Sequence, residues 1–161
     1  MAKLAALRRT QTLGLLGLLP FFALALLTWL PADVALGHAA VSTLARQSLV
    51  AYTAVILSFL GAVHWGIVLT SEVMPAAPAR RLLDWGVMPS LLGWLALLMM
   101  FVSVAPWLVY SFLIADLLLA RWMDGTLLHQ HAVIPAGFLE LRTRLTAGAT
   151  IALAIALAAS F

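Results

Sequence analysis

The sequence predicts an all-α polytopic membrane helical bundle with five transmembrane helices, the N-terminus cytoplasmic and the C-terminus outside. Two observations carry this. Hydrophobic residues make up 65% of the chain and charged residues 9%, with a mean hydropathy of +1.10, whereas a soluble domain carries about 25% charged residues. Such a chain cannot cover a water-facing surface. The second observation is that the Lys and Arg residues stand in short connections between long apolar runs, and nearly all of them in alternate connections.

The apolar runs set the spans, since about 20 residues at 1.5 Å each cross the hydrocarbon core. The first span is placed at about 13–30, behind a basic head with Lys3, Arg8 and Arg9. Pro20 and the Gly14/Gly17 pair soften this helix, which packed neighbours tolerate. A basic head before an apolar run also suits a signal peptide. The run exceeds the usual h-region and no convincing cleavage site follows, so the span is expected to be retained. A polar connection with Asp33, His38 and Arg46 leads to the second span, about 48–70. Glu72, Pro75, Pro78, Arg80 and Arg81 then mark a loop, because prolines at that spacing interrupt regular structure.

Between Trp85 and Ala115 no charged residue occurs, a stretch too long for one span and tight for two. Ser103 to Pro106 is its sole punctuation. This predicts a helical hairpin with spans at about 82–102 and 105–121. Trp122 to Thr143 follows as the longest connection, with an Asp124-Gly125 turn signal and an interfacial helix expected from Pro135. Glu140 and Arg144 stand at i, i+4 there, and the last span is about 145–160. The whole chain, 1–161, reads as one membrane domain.

With five spans, Lys3, Arg8, Arg9, Arg80, Arg81, Arg121, Arg142 and Arg144 fall on one side and Arg46 on the other. Positive charge in short loops marks the cytoplasmic face, which fixes the orientation. Trp85 and Trp122 at one interface and Trp29 and Trp107 at the other suit an aromatic belt. The net charge of +3 is therefore a topology signal and not a nucleic-acid patch. Without cysteine there is no disulfide, thiolate ligand or Cys nucleophile.

His64, beside Trp65, places an ionisable imidazole within an apolar run. Ionisable groups there are costly and face a bundle interior or a wet cavity. Asp84 and Asp116 fall at a similar expected depth, about one helical turn inside the ends of their spans. The three are candidates for a shared proton or ligand site. Asp116 needs a partner, because Phe112, Leu113 and Ala120 around it on the helix are apolar; His64, Arg80, Arg81 and Arg121 are the candidates. The plainer reading is interhelical hydrogen bonding. Ser58, Ala62 and Gly66, with neighbouring Gly61, and a second stripe of Gly86, Ser90 and Gly93, suit close helix packing, within the chain or between chains. Pro89 is placed to kink the third span. His129 and His131 form an H-x-H pair without the further ligands that a closed metal site needs. No metal, cofactor or catalytic motif is read from the sequence.

Ala51 to Gly66 (AYTAVILSFLGAVHWG), Leu83 to Leu95 with Pro89 to Trp94 (PSLLGW) at its core, Leu139 to Thr146 (LELRTRLT) and Leu13 to Phe21 (LGLLGLLPF) together resemble the DUF 3429 membrane family, which takes in transmembrane protein 69-like and bacterial inner-membrane proteins. Ala62 stands where the family pattern has a second glycine, and Gly137-Phe138 where it has an aromatic pair. The resemblance implies a multi-span bundle without an assigned activity. Two roles are carried forward: a non-enzymatic bundle that packs with or assists other membrane components, itself included as a homo-oligomer, and a small carrier or ligand-binding protein with a protonatable site at His64 and Asp116.

Overall fold

The computed structural model describes the backbone of residues 2–131 and 137–161 and the side chains of 8–128 and 137–161. Five stretches of helix in it are long and apolar enough to span a membrane: Arg8–Leu27, Val41–Thr70, Ala76–Phe101, Pro106–Leu128 and Phe138–Ala158. The first is broken into α1 (Ala2–Leu16) and α2 (Leu18–Leu27). The break falls at Gly17, one turn ahead of Pro20. A proline ring removes an N–H and crowds the preceding turn, and Tyr52 Oη from the next helix donates to Gly17 O at 2.9 Å across the break.

A two-residue-per-strand hairpin, β1 (Ala35–Leu36) and β2 (Ala39–Ala40), pairs antiparallel in the connection that follows. Gly37 opens its turn at φ +63°, a conformation cheap only for a residue without Cβ. Helix α3 then starts at Val41, seven residues before the apolar run alone suggests, and continues to Thr70. Helices α4 (Ala76–Phe101) and α5 (Pro106–His131) form the expected hairpin, turning through Ser103 at φ 58°. Helix α6 (Phe138–Ala158) likewise begins ahead of the run at 145, and Pro135 lies outside the described residues.

Without water between helices, association in lipid depends on close packing and interhelical hydrogen bonds. The seam between α3 and α4 shows how this sequence achieves it. A Cβ added to Gly61 would collide with Gly86 O, and one added to Gly93 would lie 3.0 Å from Ala54 Cα. Pro89 is buried in the same seam. The pairs 61 with 86 and 54 with 93 run in opposite senses along the chain, so the helices are antiparallel. Trp65 lies over Gly86 and donates Nε1–H to Leu83 O at 3.2 Å.

Elsewhere, α6 lies along α2 through Gly148 against Leu18 and through Trp29 Nε1–H on Ile155 O. Between the helices sits a core of Phe21, Leu49, Leu57, Leu113, Leu117 and Leu153. Leu, Phe and Trp side chains cover much of the outside, among them Leu13, Phe59, Leu69 and Trp94. The ends of α3 and α5 and the starts of α4 and α6 share one end of the bundle. Arg80, Arg81, Arg121, Arg142 and Arg144 gather there, while Arg46 is at the opposite end, donating to Ala159 O.

Candidate functional site: a buried His-Asp-Arg cluster

His64 faces Asp124, a residue that hydropathy places in the connection after the fourth span, and neither Asp84 nor Asp116. Helix α5 does not stop near 121; it runs through Asp124-Gly125, and this places Asp124 on its buried stripe with Leu113, Leu117, Ala120 and Leu128. Counting 1.5 Å per residue, His64 is about 9 Å from the end of α3. By the same count, Arg142 is about 6 Å from the start of α6. Antiparallel packing brings both to the level of Asp124.

Asp124 is the hub. Its Oδ2 accepts from Arg142 Nε at 2.7 Å and also from Arg142 Nη2. Its Oδ1 faces His64 Nε2 at 3.1 Å, an ion-pair distance without hydrogen-bond alignment. The other imidazole nitrogen, Nδ1, lies 3.3 Å from Gly61 O on its own helix. Both ring nitrogens thus face acceptors. A neutral imidazole has one N–H and serves one of them; an imidazolium has two and serves both. Residue exposures of 1% for His64, 1% for Asp124 and 6% for Arg142 put the cluster inside the bundle. Three helices, α3, α5 and α6, are tied by it.

Asp84 and Asp116 do not join this cluster. Asp84 is exposed on α4. Asp116 is 2% exposed, and neither carboxyl oxygen has a hydrogen-bond partner among the described residues. The longer α5 changes its depth: with the span at 106–128, Asp116 is near the middle and about 12 Å along the axis from Asp124. Arg121, one of its expected partners, donates instead to Thr143 Oγ1 at 2.8 Å. Tyr110, two turns nearer the start of α5, also buries a hydroxyl without a hydrogen-bond partner among the described residues.

The small-residue candidates divide by face. Gly61, Gly86 and Gly93 lie in the α3–α4 seam, whereas Ser58, Ala62 and Gly66 are exposed on the outer face of α3, and a Cβ on Gly66 meets nothing within 4 Å. The helix places residues 61, 57 and 54 inward, so the 58/62/66 row is rotated away from the core. Ser90 spends its hydroxyl on Val87 O at 2.7 Å in its own helix. No group of three metal-ligating side chains occurs among the described residues, and the side chains of His129 and His131 lie outside them.

Two contiguous apolar cavities adjoin Arg142. The smaller, about 140 Å³, lies among Gly17, Leu18, Phe21, Leu117, Arg142 and Ala149. The larger, about 350 Å³, lies among Leu13, Phe59, Val63, Leu141, Arg142 and Leu145. They share Gly14, Phe59, Leu60, Arg142 and Leu145 as lining, and among the described residues Arg142 is the single charged side chain in either wall.

The model of the family described as "Protein of unknown function (DUF3429)" matches residues 7–158, nearly the whole chain. The chain belongs to the DUF3429 family. His64, Asp124 and Arg142 all fall inside the matched region. No curated protein and no solved structure matches the chain.

Proposed function

We propose that this DUF3429 protein is a non-enzymatic multi-pass protein of the bacterial inner membrane, N-terminus cytoplasmic, that packs with or assists other membrane components. The observation that carries this reading is the outward-facing row of Ser58, Ala62 and Gly66. Small residues at helical spacing let a second helix approach closely, and all three residues of this row are exposed. Exposed Phe59 and Trp65 flank it. The His64–Asp124–Arg142 cluster acts in this reading as polar glue that holds α3 in place to present the row. An uncharged lipid-facing surface elsewhere leaves lipid as the general partner, and another helix, from a different protein or a second copy, as the specific one.

In-membrane cross-linking from position 62, followed by mass spectrometry of the captured chains, tests it. Gly66→Ile, which meets no internal clash, is expected to remove the captured species while leaving the protein folded. Capture that persists unchanged in that variant would contradict the reading.

A second reading, a small carrier or ligand-binding protein, is favoured by a separate observation: Asp116 lies unpartnered near mid-span. Buried ionisable groups at that depth recur along ion and proton pathways.

A further inference from the structure

The paired cavities at Arg142 have the form of a lateral slot for one hydrocarbon chain. Leu13 on α1 and Phe59 on α3 both line the larger cavity and are 58% and 66% exposed. The slot therefore opens sideways between α1 and α3 onto the surface that lipid covers. Inward it narrows past Gly14 and Leu60 into the smaller cavity beneath Leu18 and Ala149. Gly14 is what leaves the passage open, since a Cβ there would lie 3.1 Å from Leu145 Cδ1. Among the described residues the walls are otherwise Leu, Phe, Val, Ile, Ala and Gly, with Thr10, Thr146 and one cation, Arg142.

Arg142 Nε and Nη2 are both committed to Asp124 Oδ2, while Nη1 has no hydrogen-bond partner among the described residues. Arg142, whose side chain is 8% exposed, lines both cavities, and Nη1 carries two N–H donors beyond those given to Asp124. Such donors favour an anionic acceptor, and a guanidinium edge matches a carboxylate. We propose that the slot binds a long-chain fatty acid, its carboxylate on Arg142 Nη1 and its chain along Leu60, Leu145 and Leu18. A bound carboxylate gives Arg142 a second anionic acceptor beside Asp124. A carboxylate has two acceptor oxygens and one hydrocarbon tail, which suits a single-file slot better than the bulk of a diacyl phospholipid.

The test uses the full-length protein in phosphatidylcholine nanodiscs and radiolabelled palmitate. Saturable binding of palmitate is expected, with methyl palmitate, which has the same tail and no charge, competing at least tenfold more weakly. Leu60→Trp fills the slot and leaves the ion cluster intact, and it should weaken palmitate binding at least tenfold. Arg142→Gln should erase the preference for the acid over the ester. Absence of saturable binding, equal competition by the ester, or unaltered binding in Leu60→Trp would overturn the proposal. Phosphatidylglycerol that displaces palmitate at equal mole fraction would do so too, by assigning the site to a phospholipid.

Discussion

Asp124 accepts from Arg142 on α6 and faces His64 on α3, so its removal leaves the buried guanidinium without its counter-charge. Breaking a buried pair by deleting one partner costs about 3–5 kcal/mol, and Asp124→Ala is expected to lower unfolding stability in detergent by that order. Asp84→Ala, at an exposed position, should stay within about 0.5 kcal/mol. Asp116 predicts the opposite sign. A buried carboxyl without a partner destabilises by the desolvation of that group, so Asp116→Leu should raise the unfolding midpoint. A lowered midpoint would mean that the carboxyl has a stabilising contact. The two aspartates were also unequally legible. Asp124 followed by Gly125 has the composition of a turn, and that local signal hides the stripe 113, 117, 120, 124, 128 on which Asp124 sits. Arg142 is hidden differently. Counted with the loop cations, it serves topology, yet Phe138, Leu145 and Thr146 surround it on its own helix and give it an apolar face. A cation on an apolar face opposite a stripe-borne acid is the signal that finds the pair.

Helices in this protein are longer than their apolar runs, and that difference moves the site. Hydropathy marks the most apolar part of α3, α5 and α6, but the same helices continue through Val41–Gln47, Trp122–His131 and Phe138–Arg144. These extensions carry polar residues, and a reading based on hydropathy assigns them to loops. What hydropathy gets right is the existence of each span and the turn at Ser103. The rotation of α3 is a further matter that spacing alone does not decide. Both 58/62/66 and 54/57/61/64 are helical rows, and the bundle buries the second. Gly61→Val tests that choice. Its side chain would enter the backbone of α4 at Gly86, and overpacking of this kind typically costs about 1–3 kcal/mol. Ala62→Val, one residue away on the outer face, is expected to be neutral in the same unfolding assay. Equal losses in both variants would place the α3–α4 seam elsewhere.

At the scale of the molecule, the fold is a five-span bundle tied near its arginine-rich end by one ionic cluster and along its length by small-residue seams. The proposed orientation puts that end in the cytoplasm. A periplasmic reporter enzyme fused after Phe161 should then be active, and one fused within the α3–α4 turn inactive; the reverse pattern would invert the topology. With Arg142 buried on Asp124, the remaining basic residues at that end still outnumber Arg46 on the other side. Asp124 couples α5 to α6, with α3 joined through His64. A double-mutant cycle of Asp124→Ala and Arg142→Ala, read by reversible unfolding of the whole protein, measures that coupling directly. The cluster predicts a double variant less damaged than the sum of the singles, with an interaction energy of about 1–3 kcal/mol. Single effects that add to within about 0.5 kcal/mol would contradict it.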